Sequence, residues 1–156
     1  MITGDTVTAE RREGEDHATT LSARSVTSVM MHDPAPAPRT KKVLVVEDDV
    51  ILRFVIAEVL RDGGLTVAEA GSGDEAIVFL RTGDQVDLVF SDIQMPGETD
   101  GLALAARIHD EFPRTQVLLT SGHVRVNEHI PFVRKPYVVT DVLATIRIML
   151  EGSDGE

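Results

Sequence analysis

The chain has 156 residues, 42% hydrophobic and 26% charged, with no cysteine and a formal net charge of -11, which is enough chain for one domain with a real core. The missing cysteines exclude disulfides and thiolate metal sites and fit a reducing compartment, and no apolar run approaches the roughly 18 residues of a membrane span. A surface this acidic repels phosphate backbones, which argues against DNA or RNA as the main partner and suits cations or a basic protein face.

Residues 1–40 lack hydrophobic periodicity and end in "DPAPAPRT", so they read as a disordered extension closing in a PPII-like linker. They hold no apolar core of the roughly 7–15 residues that a signal peptide needs. Met30 and Met31 mark an alternative start of translation, with residues 1–29 upstream of it.

From Lys41 the pattern becomes regular. "KVLVV" (42–46) is an apolar run bounded by charges, as in a strand buried on both faces. "VILRFVIAEVLRDGG" (50–64) predicts a helix that Gly63-Gly64 stops, with Ile51, Leu52, Val55, Ile56, Val59 and Leu60 inward and Asp49 as its N-cap. "LTVAEA" (65–70) alternates like a strand. "SGDEAIVFLRTG" (72–83) opens with the capping box Ser72-x-x-Glu75 and closes on Gly83. A third strand (86–92), a helix ended by Pro113 (100–113) and a fourth strand (115–122) follow. "FVRKP" (132–136) is a short fifth strand, since a residue before proline is pushed towards extended geometry. "TDVLATIRIMLE" (140–151) is the last helix, capped by Thr140, with Val142, Leu143, Ile146, Met149 and Leu150 inward; residues 152–156 remain as a tail.

Strict alternation of short apolar strands with amphipathic helices means an α/β fold, a doubly wound five-stranded parallel sheet. Ligands in such sheets bind beyond the carboxyl ends of the strands. Standing there are Glu47 and Asp48 after the first strand, Asp92 after the third, Thr120 and Ser121 after the fourth, and Lys135 after the fifth. If the first and third strands are neighbours, three acids meet within a few ångströms. Their repulsion calls for a cation, and an all-oxygen set suits Mg²⁺ whereas no His/Cys set favours zinc. An ionised aspartate is a nucleophile at neutral pH without a general base. A phosphoryl group on Asp92 would need a metal, a cation and a hydrogen-bond donor, and Mg²⁺, Lys135 and the Thr120 hydroxyl supply these.

Four stretches in this order, "VLVVEDD", "VFSDIQMPGETDGL", "VLLTSG" and "FVRKPY", resemble the motifs of response-regulator receiver domains of two-component signalling, across about residues 41–151. The resemblance implies the flavodoxin-like strand order 2-1-3-4-5, with Asp92 as phospho-acceptor. It puts Glu47 and Asp48 in the acidic pair (Asp48 the more direct Mg²⁺ ligand) and makes the backbone carbonyl of Gln94 a further ligand. Thr120 matches the switch hydroxyl, Lys135 the phosphate-pairing lysine and Phe132 the aromatic that moves on phosphorylation, and the Lys135–Pro136 bond is expected cis. It implies a stand-alone cytoplasmic module whose partners are a sensor histidine kinase or histidine phosphotransfer protein and an unknown downstream protein, without nucleic acid or membrane.

Two departures stand out. "IQMPGET" is one residue longer than the commonest spacing, so a looser loop with intact chemistry is expected. A shortened fourth helix must fit within "GHVRVNEHIP", which is weak helix material, so this crossover is expected to be irregular or only transiently helical.

Taken one at a time the same residues have plainer readings: a turn or cap for Asp92, a solvated strand end for the acids, a surface lysine for Lys135, core for Phe132, and solvated side chains for His109, His123 and His129. Their convergence on one rim favours a site. Among the alternatives, an Mg-dependent aspartyl-phosphatase of the haloacid-dehalogenase kind wants a second aspartate two residues after the nucleophile, where Gln94 stands. A phosphorylation-independent pseudo-receiver is disfavoured by the complete set of acids, hydroxyl and lysine. The expectation is a phospho-accepting signalling domain and not a turnover enzyme.

Overall fold

Five short strands lie parallel in the order β2-β1-β3-β4-β5: β1 (Lys42–Val46), β2 (Thr66–Ala70), β3 (Leu88–Asp92), β4 (Gln116–Ser121) and β5 (Phe132–Arg134). They are seen in a computed structural model that describes residues 37–123 and 126–155. The disordered extension expected over residues 1–40 lies almost wholly outside the described residues. Between the strands run helices α1 (Val50–Asp62), α2 (Gly73–Leu80), α3 (Gly101–Glu111) and α4 (Val139–Gly152), the last running into a short 3-10 turn, Ser153–Gly155. No described helix is long and apolar enough to cross a membrane.

The alternation of β1 decides the layering. Val43 and Val45 join Ile56 and Leu60 of α1 and Val142 and Ile146 of α4 in one core. Leu44 and Val46 face the other way, into a core with Ile77 and Leu80 of α2 and Leu104 and Ile108 of α3. A strand whose two faces are both dry must be apolar at every position, which is why β1 shows no polar alternation. Truncating a buried leucine such as Leu44 to alanine costs about 2–5 kcal/mol.

Caps set most helix starts. Asp49 accepts from the amides of Ile51 and Leu52, as expected of an N-cap. Ser72 accepts from Glu75, while Glu75 reaches back to the Gly71 amide. Asp100 accepts from Ala103 and opens α3. The cap of α4 differs from expectation. Val138 holds the N-cap position without a side-chain bond, and Thr140 is already the second residue of the helix. There Asp141 supplies the negative charge that favours a helix N-terminus.

The inward face of α1 also differs. Leu52, Ile56, Val59 and Leu60 turn towards the sheet, whereas Ile51 is 78% exposed and Val55, Val50 and Phe54 are exposed with it. Nine of the first eleven residues of α1 are apolar, so its periodicity defines a wide arc, and sheet contact selects one side of that arc. The other side remains an apolar stripe in solvent.

The connection from β4 to β5 is irregular over its described residues, as its weak helix material led one to expect. Among the described residues 122, 123 and 126–131 none is helical. A turn closes through Ile130 N to Asn127 O at 3.1 Å, and Val126 and Ile130 pack on Ile93, Ala105 and Leu119. Beside this crossover a groove of about 490 Å³ opens between Leu102, Ala106 and His109 of α3, Val117, Ile130 and Pro131.

Candidate functional site

The site sits at the carboxyl ends of β1, β3, β4 and β5. Pairing of β1 directly with β3 brings their ends together, and Thr120 is the register partner of Asp92 across β3–β4. The Glu47 amide extends the sheet by donating to Ala70 O at 3.2 Å, so Glu47 emerges from a continuous ladder. Ile93 N bonds Thr120 O, and Lys135 N bonds Ser121 O, which fixes the other two arms. The Lys135–Pro136 peptide is cis.

Glu47, Asp48 and Asp92 each offer a carboxylate oxygen within 4.8 Å of the others. Glu47 is 3% exposed and Asp92 7%, while Asp48 is open to solvent. Two negative charges at such a separation repel by on the order of 3 kcal/mol at an effective dielectric near 20. Burial pushes the Glu47 carboxyl above its ordinary range; the Asp49 amide and the Lys135 charge oppose this, and the Asp92 charge and Asp48 add to it. Lys135 Nζ lies 2.6 Å from Asp92 Oδ2 and 3.4 Å from Glu47 Oε2. Burial lowers the Lys135 ammonium, but the hydrogen bond it donates to Asp92 and the two acid charges outweigh it and hold the group above its ordinary value. One cation therefore faces three acids. The donor set is all oxygen, which fits Mg²⁺.

Asp92 Oδ1 accepts from the Gln94 amide at 3.0 Å, which leaves the carboxylate hydrogen-bonded and fixed in direction. The Thr120 hydroxyl is fully buried and has no hydrogen-bond partner among the described residues. An orphaned buried hydroxyl costs about 1–3 kcal/mol unless something arrives to meet it, and a phosphoryl oxygen beside Asp92 would be such a group. Phe132 is half-buried against the crossover cluster with Ile93 and Leu119, as both the core reading and the switch reading require. His109, His123 and His129 are all exposed.

Asp92, Gln94 and Lys135 open onto a cavity of about 610 Å³ that Leu52, His123 and Tyr137 also line. Tyr137 stacks edge-on against Phe90, ring centres 6.1 Å apart, and its buried hydroxyl also lacks a partner. Only its position two residues after Lys135 pointed to Tyr137 beforehand. Gly101 is a further residue of the site that pattern reading passed over. A Cβ there would stand 2.3 Å from Asp92 O, so only glycine lets α3 start against the end of β3. A lone glycine opening an Ala/Leu-rich helix was the available signal.

The loop after Asp92 is pinned, against the expectation of looseness. Thr99 is buried and its hydroxyl bonds Asp74 in the first turn of α2, while Met95 enters the core beneath. The extra residue is absorbed with Gly97 at φ +109°.

Comparisons with known proteins agree on one family. The family model described as "Response regulator receiver domain" matches residues 43–136. Over 121 residues the chain is 32% identical to the sensor kinase CckA of Brucella abortus (strain 2308), covering 72% of this chain and 13% of that protein. It is 30% identical over 122 residues to the transcriptional regulatory protein PdtaR of Mycobacterium tuberculosis (strain ATCC 25618 / H37Rv), covering 73% of this chain and 58% of that one. The chain thus spans less than two thirds of the length of either relative. Among solved structures, the signal receiver domain of an HD domain-containing protein from Pseudomonas fluorescens Pf-5 superposes with a TM-score of 0.69 at 28% identity, covering 76% of this chain and all of that one.

Proposed function

The chain belongs to the response regulator receiver domain family, and from that premise we propose that Asp92 accepts a phosphoryl group from the phosphohistidine of a sensor histidine kinase or histidine phosphotransfer protein. The observation that carries this reading is the setting of Asp92: a buried, ionisable strand-end carboxylate between two further acids, one lysine and one unpaired hydroxyl.

In the transfer, the P–N bond of the phosphoimidazole breaks as a P–O bond forms to Asp92, and the imidazole departs neutral after taking a proton. The Gln94 amide holds one oxygen of Asp92 and so aims the other. Lys135, already on Asp92, shifts its donation to a phosphoryl oxygen. The Thr120 hydroxyl donates to another, and Phe132 moves into the space that Thr120 leaves. Mg²⁺, held by Glu47, Asp48, Asp92 and the Gln94 carbonyl, would neutralise the acid cluster and the charge gathering on the phosphoryl oxygens. With glutamine two residues after the nucleophile, no side chain stands ready as general acid for repeated turnover, so we read the chain as a signalling domain and not an enzyme acting on a free substrate. Its place of work is the cytoplasm, where histidine kinases draw on ATP.

The exposed stripe of Val50, Ile51, Phe54 and Val55 begins three residues after Glu47 and forms the apolar part of the face that receives the phosphodonor. The output face is the crossover from β4 to β5 with its groove, together with α4.

The test is labelling with acetyl phosphate, with the modified residue mapped by mass spectrometry. Label is expected on Asp92, absent from Asp92→Asn and absent in excess EDTA. Undiminished label in either case would end the proposal.

A further inference from the structure

We infer that Arg53 is a positioning residue of the acid cluster: through the backbone of Glu47 it sets the orientation of the residues that hold the divalent cation. The inference rests on the phosphoryl-transfer reading of the site and adds to it a residue that neither the acids nor the phosphoryl chemistry names.

Arg53 projects from the first turn of α1 and is mostly buried; Nη1 donates to Glu47 O at 2.8 Å. Its Nε lies 3.5 Å from Glu69 Oε2 on the edge strand β2. Glu69 in turn accepts from Arg61 Nη2 at 2.8 Å, and Arg61 also bonds Glu58 at 2.9 Å and Val67 O at 3.3 Å. A chain of charges therefore runs from the outer edge of the sheet to the carbonyl of a cluster acid. The approach is tight, because a Cβ at Gly71 would stand 3.3 Å from Arg53 Nη1.

The Glu47 carbonyl lies past the end of β1, where the chain leaves the ladder and turns into α1. Among the described residues no other side chain holds this carbonyl, and the Glu47 and Asp48 side chains take their direction from that peptide. The planar fork of arginine can serve the carbonyl and Glu69 at once, which a lysine ammonium on the same stem serves poorly. Residues that orient metal ligands from behind are worth about 10–100-fold in metal affinity.

A plain charge effect predicts the opposite sign. Arg53 is a cation near a cation site, so removing its charge alone would tighten Mg²⁺ binding. Positioning predicts weakening. Arg53→Lys keeps the charge and loses the fork, and Arg53→Met loses both while keeping much of the stem.

The experiment measures the Mg²⁺ midpoint of thermal stabilisation for the full chain and both variants, alongside the Mg²⁺ midpoint for labelling by acetyl phosphate. Arg53→Met is expected to raise both midpoints about tenfold, with the labelling rate at saturating Mg²⁺ close to wild type. Arg53→Lys should raise them severalfold. Unchanged or lower midpoints in Arg53→Met overturn the inference, even if its metal-free melting temperature falls, since a merely structural role moves stability alone. Should Arg53→Met not fold, Arg53→Lys decides: a raised midpoint supports positioning and an unchanged one refutes it. A wild-type chain with no Mg²⁺ response would overturn the functional reading and this inference with it, whereas a normal wild-type response with unaltered variants sinks the inference alone.

Discussion

Lys135 donates to Asp92 across 2.6 Å while the acceptor carboxylate is unmodified. The cation that would later meet the phosphoryl group is thus in place beforehand, and it also lies 3.4 Å from the Glu47 carboxylate. Lys135→Met should leave two buried acids without a counter-charge. With Lys135 27% exposed, the expected loss lies between the limits for exposed and buried pairs, on the order of 1–3 kcal/mol in metal-free buffer. Mg²⁺ should recover most of it. Melting curves in EDTA and in Mg²⁺ decide the matter, and equal losses in both buffers would show that Lys135 does not balance this cluster.

Glu47→Gln removes the acid that burial holds above its ordinary range. It should raise the metal-free melting temperature while weakening stabilisation by Mg²⁺, which for the wild type amounts to roughly 2.7 kcal/mol at a hundred times the dissociation constant. A lower metal-free melting temperature together with a full Mg²⁺ response would contradict the repulsion argument.

Phe54 and Ile51 are exposed apolar side chains outside both cores. A double change, Ile51→Ser with Phe54→Ser, should leave stability within about 0.5 kcal/mol and leave labelling by acetyl phosphate intact. Phosphotransfer from the cognate histidine kinase should slow at least tenfold. If both donors are affected alike, the stripe is part of the fold and not a docking face.

Asp87 reports on acid stability away from the site. Burial pushes its carboxyl up, but bonds from the Arg39 side chain and the Lys42 amide, with the Arg39 charge, outweigh this and hold it below the ordinary value. A depressed folded pKa means that its stabilisation is present above the unfolded value near 3.9 and is lost as pH falls through the folded one. The gap in melting temperature between wild type and Asp87→Asn should therefore be widest near neutrality and close below about pH 4. A gap that stays constant down to pH 2 would rule out the linkage.

Tyr137 is the chain's single tyrosine, so its ionisation can be followed by absorbance alone. Burial, with the Glu47 and Asp92 charges adding to it and Lys135 opposing, pushes it up to about 12. A raised folded pKa means stability that is full below about pH 10 and is lost as pH rises through the folded value. Tyr137→Phe should flatten that alkaline loss. At neutral pH it should also stabilise the unmodified domain by up to about 1–3 kcal/mol, because a buried hydroxyl without a partner disappears. A lower melting temperature for Tyr137→Phe would mean that the hydroxyl is bonded after all.

Layering and the rim of acids, hydroxyl and lysine were legible in the sequence, because each depends on local signals: apolar runs, caps and the last residue of a strand. The strand order followed only from the resemblance of the four motifs to receiver domains. Three things were not legible. The inward side of α1 could not be chosen, since Ile51 and Val55 are as apolar as Ile56 and only the sheet distinguishes them. The Thr99–Asp74 tie spans 25 positions, and no periodicity encodes such a pairing. Gly101 matters through a backbone atom of another element, the Asp92 carbonyl, which sequence spacing does not reveal. Thr140 misled for a related reason: a good capping residue is an opportunity, and the chain began its helix before reaching it.

The short crossover from β4 to β5 bears on how the sheet assembles. Leu119 and Phe132 pair across β4–β5 much closer in sequence than Val43 and Leu88 do across β1–β3. Closing that short loop carries a smaller entropic cost than any other strand junction in the domain, and the cost grows slowly with length elsewhere. Because β5 has only three residues and lies at the edge of the sheet, its release is a small opening event, well below the free energy of global unfolding, and the short loop favours its return. Lys135 travels with it, so each opening momentarily strips Asp92 of its cation and bares the acids to water.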